Sequence, residues 1–326
     1  MTAEALPAGA SRAAAFRTLD REHRQAWIAY GVVMLLVWSI PLLSGGFLLY
    51  LGCNIALAAV AALGLQLMVG LAGQLSLGHA AFIGIGAYTA VLLEKQAGVS
   101  YPLAAMAALV ASGLVGFVMA QLVRLSGIYF KIATFGFGII VYQIMTNWAS
   151  LTGGNTGLIG IPAIEFLGWR MTSRQDLFVI AASFLTVVYA LFVRLTHGRV
   201  GRAFRALGQN EDAAQSIGIA TGLYKMVVIS IGCAVAGLAG SLMPHVYRFV
   251  NPESFTWHDS LVLLIMITVG GLGSLPGAVI GAALLVVVPE YLRDLAEYKM
   301  LAFGLLLILS MALLPRGLMG LLERRA

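Results

Sequence analysis

Between two long apolar runs lies GLAGQLSLGHAAFIGIGAY, residues 70–88, in which Gln74, Ser76 and His79 stand among closely spaced glycines. Polar side chains in such a setting could cradle a phosphate, take part in nucleophilic catalysis, or line a polar path through an apolar surround. A phosphate loop needs Lys and Ser/Thr after its last glycine, to reach the terminal phosphate and its magnesium ion. Here Gly78 is followed by His79 and Ala80, and no other stretch carries the pattern. The chain therefore has no ATP-hydrolysing motif of its own. A serine hydrolase within the membrane would pair a serine such as Ser274, in GLGSLPG, with a base and oxyanion donors; no motif in the chain specifies that pairing. What remains is packing and passage. Glycine-rich, irregular backbone at membrane depth is tolerated only where protein buries it or a polar cavity lines it. Gln74, Ser76 and His79 thus either satisfy backbone groups freed by a broken helix or face a translocation path.

The elements around this stretch are membrane spans. The chain has 326 residues, of which 60% are hydrophobic and only 10% charged, against about 25% charged in a soluble domain. The fold class expected is an all-α polytopic membrane protein. Apolar segments fall at 27–43, 47–69, 77–93, 101–123, 127–147, 176–193, 226–245, 258–271, 275–289 and 300–315. This predicts about ten transmembrane helices, the shorter ones broken or tilted. The domain layout expected is an N-terminal tail at 1–26, a transmembrane domain at 27–318 and a C-terminal tail at 319–326. The tail at 1–26 carries Arg12, Arg17, Arg21 and Arg24 without an apolar core, unlike a cleavable signal peptide.

Charge supplies the orientation. With the N-terminus inside, fourteen of the 20 Lys and Arg lie on the cytoplasmic side, among them Arg24, Arg124, Lys131, Arg202 and Arg325. Lys95, Arg170, Arg174, Arg248, Arg293 and Lys299 lie outside. This asymmetry places both termini in the cytoplasm. It also accounts for the net charge of +6 without nucleic acid as a partner.

Two connections are long: 148–175 outside, with the turn-rich LTGGNTGLIGIP, and 194–225 inside, with helical character. GLAGQL at 70–75 returns as GLAGSL at 237–242, which suggests a weak internal two-half repeat. Ser76, Ala80 and Gly84, and likewise Gly273, Gly277 and Gly281, follow the spacing of one smooth helical face that admits a neighbouring helix. Pro276 adds a helix-breaking element, and interrupted segments at matching places in two halves point to a transport pathway.

Cys53 and Cys233 sit in apolar runs as small packing residues, and no metal-ligand spacing occurs. Glu94, Glu290, Asp294 and Glu297 fall at or beyond span ends, where solvent is expected to reach them. Lys131 is near enough to an end to snorkel. Without embedded carboxylates a proton-driven mechanism has little to act through. The residues describe a conduit whose energy comes from elsewhere.

The opening stretch closely resembles the hallmark of the branched-chain amino acid ABC transporter permeases, the LivH/LivM branch. Three further stretches are similar to that family, in order: GIYFKIATFGFGIIVYQIMTNWASLTGGNTGLIGIP at 127–162, GRAFRALGQNEDAAQSIGIATGLYK at 201–225 and TVGGLGSLPGAVIGAAL at 268–284. The LTGG-containing loop favours the LivM type. The resemblance covers about residues 45–315. It implies half of a pore shared with a homologous LivH-type permease, two cytoplasmic ABC ATPases below, a periplasmic binding protein above, and a bacterial inner membrane around it. It implies a transport subunit with neither catalytic residues nor a cofactor.

On that resemblance Arg202, Arg205, Glu211, Ala213, Ala214 and Gly218 are the expected ATPase-docking residues, the small ones seating a short helix and Gly218 letting the chain turn. Gln74, Ser76, His79, Thr134 and Phe135 are the expected substrate pathway. Thr152, Gly153, Gly154 and Asn155 are expected either to contact the binding protein or to form a turn. Permeases of this kind also serve urea, amides and aromatic carboxylates. A secondary transporter of a small polar solute, working alone, is the competing class.

Overall fold

Runs of Ala, Leu, Val and Gly long enough to span an apolar slab form helices here because a helix satisfies every backbone group within its own segment. A computed structural model of the chain describes residues 8–43, 45–121, 128–166, 169–291, 304 and 317–323. The helices are α1 (Ala8–Ser39), α2 (Gly46–Gln66, prolonged by a π turn over Leu67–Leu71), α3 (His79–Ala97), α4 (Tyr101–Ala120), α5 (Ile128–Asn147), α6 (Ala149–Thr152), α7 (Arg174–His197), α8 (Arg199–Gln209), α9 (Glu211–Ser216), α10 (Thr221–Tyr247), α11 (Trp257–Gly270) and α12 (Leu275–Tyr291). A last helix spans Gly317–Glu323. Two short antiparallel ribbons decorate the loops, Leu158–Ile159 with Phe249–Val250 and Ile164–Phe166 with Trp169–Met171.

Five of the described helices are long and apolar enough to cross a membrane: Gly46–Leu71, Tyr101–Ala120, Ile128–Asn147, Arg174–His197 and Thr221–Tyr247. Trp257–Gly270 and Leu275–Glu290 are apolar but shorter. Each expected segment from 27–43 to 275–289 coincides with helix over its described residues, apart from 77–78 and 271 at the two glycine-rich turns. The segment 300–315 lies outside the described residues except for Gly304, as do Arg124, Arg293, Asp294, Glu297, Lys299 and Arg316. The region read as an N-terminal tail is helical from Ala8, continuous with the first apolar segment.

Two helices form the centre. Along α2 every residue from Ala59 to Met68 is buried, and α10 is buried along most of its length. Helix α10 packs against α2, α3 and α4, while α2 also packs against α7, α11 and α12. Glycine sets the closeness of these contacts. A methyl group at Gly86 of α3 would overlap the Gly237 carbonyl of α10, and one at Gly240 would overlap the Ile83 carbonyl of α3. Such small-residue seams let helices meet backbone to backbone where no hydrophobic effect drives them together. The GLAGSL echo therefore differs in structure from its counterpart: 237–242 lies inside α10, whereas 70–75 ends a helix.

Large apolar side chains cover much of the outer surface of the bundle. Leu103, Met106, Val110, Leu114, Ile132, Ile140, Val187 and Leu191 are exposed on α4, α5 and α7.

One contact corrects the reading of the carboxylates. Glu94 is not at a solvated span end. It lies within α3, and its Oε2 meets His245 Nε2 of α10 at 2.9 Å, both side chains being buried. The ring of Tyr101 stands edge-on to His245, centroids 4.9 Å apart. Helix α3 continues to Ala97, so Glu94 is placed one turn inside it and turned toward α10.

Candidate translocation site

The first break begins where the π turn closes α2. Gly73 N donates to Val69 O (3.2 Å) and Gln74 N to Met68 O (2.8 Å), with Gly73 at φ 68°. The backbone then returns along α2 as irregular chain until His79 starts α3. Its freed groups are met by neighbours. Leu77 N donates to Thr134 Oγ1 of α5 (3.1 Å), and Ala80 N to Ser260 Oγ of α11 (2.9 Å). Gly78 lies so close to the Thr134 carbonyl that a methyl group would overlap it.

The second break joins α11 to α12 through Gly271 (φ 124°) and Gly273 (φ 85°), values that glycine alone adopts without strain. The two breaks interlock. The side-chain amide of Gln66, fully buried at the end of α2, donates to Gly271 O (2.8 Å) and to Ser274 O (2.9 Å). Gly70 abuts the Gly273 backbone with no room for a side chain.

The expected pathway residues divide. Ser76 and His79 are buried at the break, and the Ser76 hydroxyl has no partner within the described residues. The His79 ring lies between Phe82, Gly64 and the Ala61 backbone. Gln74 is half-buried and its amide folds back to Ala72 O (3.1 Å). Thr134 is a strut under the break and also donates to Lys131 O (2.9 Å). Phe135 stands apart from His79, its ring edge-on to Trp257 at 6.2 Å.

Of the expected packing residues, Ala80 and Gly84 are buried in α3, with Gly84 facing Met145 and Phe255. Gly277 and Gly281 bring α12 against α11 at Gly270 and Met266. Ser76 and Gly273 precede their helices, since the chain there is irregular, so neither belongs to a helical face.

Two cavities flank this layer. One, of about 440 Å³, lies between α2, α3, α10, α11 and α12. Its rim carries Asn54, Tyr247, His258 and Asp259, and Tyr247 donates to Asn54 Oδ1 at 2.9 Å. Its walls are apolar, with Leu57, Ile83, Val262 and Leu285, and it reaches down to Ala61 and Ala80. The other, of about 610 Å³, begins at Val69 and Gly70 and is bounded by the second break, α1, α7 and α8. Along α2 the cavities are separated by 62–68, a fully packed layer of roughly 10 Å at the helical rise. Gln66 and His79 lie in that layer.

The connection 194–225 is seated on the first break. A methyl group at Gly208 of α8 would overlap the Leu71 carbonyl, and one at Gly73 would stand 3.3 Å from Gly208 Cα. Helix α9 is capped by Asn210, whose Oδ1 accepts from Ala213 N (3.0 Å). It turns off at Gly218, with φ 86° and open space around it. Ala214 is buried against the bundle, while Glu211, Ala213 and Gly218 are exposed. Glu211 reaches Lys225 of α10 at 2.5 Å. Arg202 is exposed and donates to His197 O. Arg205 is half-buried and faces the larger cavity.

At the opposite end, Thr152 is buried and donates to Met145 O and Trp148 O. Gly153 and Gly154 have positive φ and build a turn, so that Asn155 is the exposed member of the set.

Sequence reasoning missed Gln66, Ser260, Gly208 and the Glu94–His245 pair. Gln66 and Ser260 carried a signal, as polar residues inside apolar runs; the identity of their partners carried none.

A polytopic helical membrane protein with two interlocked glycine breaks between cavities is what these elements define. Residues 47–311 match the family described as branched-chain amino acid transport system / permease component, and the chain belongs to that family. Over 284 residues it is 38% identical to the high-affinity branched-chain amino acid transport system permease protein LivM of Salmonella typhimurium and to that of Escherichia coli K12. The match covers 79% of this chain and 66% of each relative, so the chain spans just under two thirds of their length. It is 29% identical over 188 residues to LivH of Salmonella typhimurium, covering 54% of this chain and 60% of that one. No solved structure matches.

Proposed function

We propose that the chain is the LivM-type permease subunit of an ATP-driven importer, forming half of a translocation pore for branched-chain amino acids in a bacterial inner membrane. The observation that carries this reading is the seating of α8 directly on the first glycine break, which links a surface loop to the packed layer between two cavities. The relatives named for branched-chain amino acid transport support the solute class.

The loop 194–225 faces the cytoplasm, both termini lie there, and 148–175 faces the periplasm. The sequence reading of ten spans counts 300–315 as the last, a segment outside the described residues except for Gly304. Two ATPases dock on α9 through Ala213, Gly218 and the exposed Ile217, and on α8 through Arg202. A periplasmic binding protein docks near Asn155, and a LivH-type permease supplies the other half of the pore. The two breaks repeat one device in two halves of the chain.

ATP binding on the partners moves α9 and α8. Gly208 passes the displacement to Gly73, and the Glu211–Lys225 pair passes it to α10. Because Gln66 ties both breaks together, they shift as one body and open the packed layer at His79 and Ser76. Hydrolysis itself belongs to the partners.

The test is purification of the tagged chain from native membranes in mild detergent, with mass spectrometry of what accompanies it. Two ATPases and a second permease are expected. Isolation of the chain alone, even after crosslinking, overturns the reading in favour of a lone transporter.

A further inference from the structure

The larger cavity is basic and has no acid of its own. Its polar wall consists of Gln25, Thr196, His197, Arg205, Gln209 and Ser274, and no Asp or Glu is among its described lining residues. Arg205 is half-buried, and its guanidinium has neither an ion pair nor a hydrogen bond within the described residues. A half-buried guanidinium without a counter-charge keeps its donors available, and its planar fork matches an oxyanion. Two further features point the same way. Tyr189 forms part of the wall, is fully buried, and its hydroxyl has no partner within the described residues. The start of α12 borders the same space; Pro276 carries no N–H and Gly277 N donates to Ser274 Oγ (3.3 Å), so what the helix offers a negative group is the field of its N-terminus.

We propose that this cavity binds a compact oxyanion, a carboxylate or phosphate group, held by Arg205 with the Tyr189 hydroxyl and the start of α12. The bound group ties α8 to both glycine breaks at once, because the cavity touches Gly70 and Gly73 of the first, Gly273 of the second, and Arg205 and Gly208 of α8. It thus strengthens the connection between the docking loop and the packed layer. The inference rests on the permease reading only for the sidedness of the cavity. Two sources supply the chemistry: a soluble anion of the cytoplasm, or the headgroup of an anionic lipid entering beside α1.

The test is thermal unfolding of the purified full chain in detergent, followed by intrinsic fluorescence. The probes are sodium phosphate against chloride at matched ionic strength, L-leucine, and phosphatidylglycerol against phosphatidylcholine. At a hundredfold excess over the dissociation constant the midpoint rises by about 5 °C. Arg205→Gln abolishes the rise, Arg205→Lys weakens the apparent affinity about tenfold by losing the fork, and Tyr189→Phe weakens it severalfold. Arg199→Gln, which removes an exposed charge from the same helix, leaves the rise intact.

A response to phosphate or leucine identifies a soluble anion. A response to phosphatidylglycerol alone identifies the headgroup. No response to any probe overturns the proposal, and so does an equal response in Arg205→Gln; if that variant does not fold, an unchanged affinity in Arg205→Lys and Tyr189→Phe has the same force. The assay needs no ATPase, so its failure leaves the permease reading standing, and a missing ATPase in the purification leaves this result standing.

Discussion

The side-chain amide of Gln66 donates to Gly271 O at 2.8 Å, joining residues 205 positions apart in the chain. With its second bond to Ser274 O, one buried side chain holds the end of the first helix pair to the turn of the second. Each of these carbonyls also accepts a backbone N–H, Gly271 O from Ser274 N (3.3 Å) and Ser274 O from Ala278 N (3.1 Å), so Gln66 fills the second acceptor position of both and each of its bonds contributes about 0.5–1.5 kcal/mol. The glycine breaks persist because each is satisfied by side chains from elsewhere: Gln66 for the second, Thr134 and Ser260 for the first.

Gln66→Leu keeps the volume and removes both donors. It is expected to destabilise the protein by roughly 1–3 kcal/mol and to reduce transport more than it reduces insertion. Unfolding in a graded denaturant series, read beside uptake, checks this; a variant as stable as the parent would contradict the strut role.

The α3–α10 seam predicts a contrast between two glycines. Gly86→Leu forces α3 off the Gly237 backbone and is expected to yield little folded protein. Gly98→Ala meets open space and only the strain of φ 61°, a cost of about 1–2 kcal/mol. Size-exclusion profiles of the two, in the same detergent, separate a packing effect from a backbone one.

Glu94 and His245 predict non-additivity. Each single replacement by Leu strands a polar group in a buried site, so the double replacement costs less than the two single ones together, by about 1–3 kcal/mol. A double-mutant cycle of unfolding midpoints measures it. Strict additivity would mean that the 2.9 Å contact contributes no coupling.

Gly218→Val tests the docking loop. The exchange strains a φ of 86° at an exposed position, so insertion and folding are expected to remain while ATPase association and solute-driven uptake fall. Unchanged uptake would remove α9 from the coupling route.

What could be read in advance, and what could not, follows from the range of each interaction. The stretch 70–88 announces a break by local composition alone, as GLGSLPG does for the second, and both form turns with positive-φ glycines. The short helix α9 and the turn after it were legible from small residues followed by Gly218. Glu94 was misread because the distance to a span end says nothing of which neighbour a helix face meets; only the Gly86 and Gly240 contacts, bringing α3 and α10 together, put His245 within reach. Thr134 was legible as polar within an apolar run, but its role as a strut depends on Leu77 arriving from another element. Arg205 belonged to the docking loop by sequence, and the turn of α8 carries it inward to the cavity. Long-range partners of this kind have no signature in a single chain, because any polar residue on the facing helix would read the same.

The most direct measurement is uptake of labelled L-leucine into proteoliposomes holding the complex that purifies with this chain, with its binding protein added outside. Uptake that requires enclosed ATP, and vanishes with Gly218→Val in an otherwise intact complex, is the result expected of a permease driven by its partners. Equal uptake with and without ATP, following an imposed ion gradient, would contradict that account.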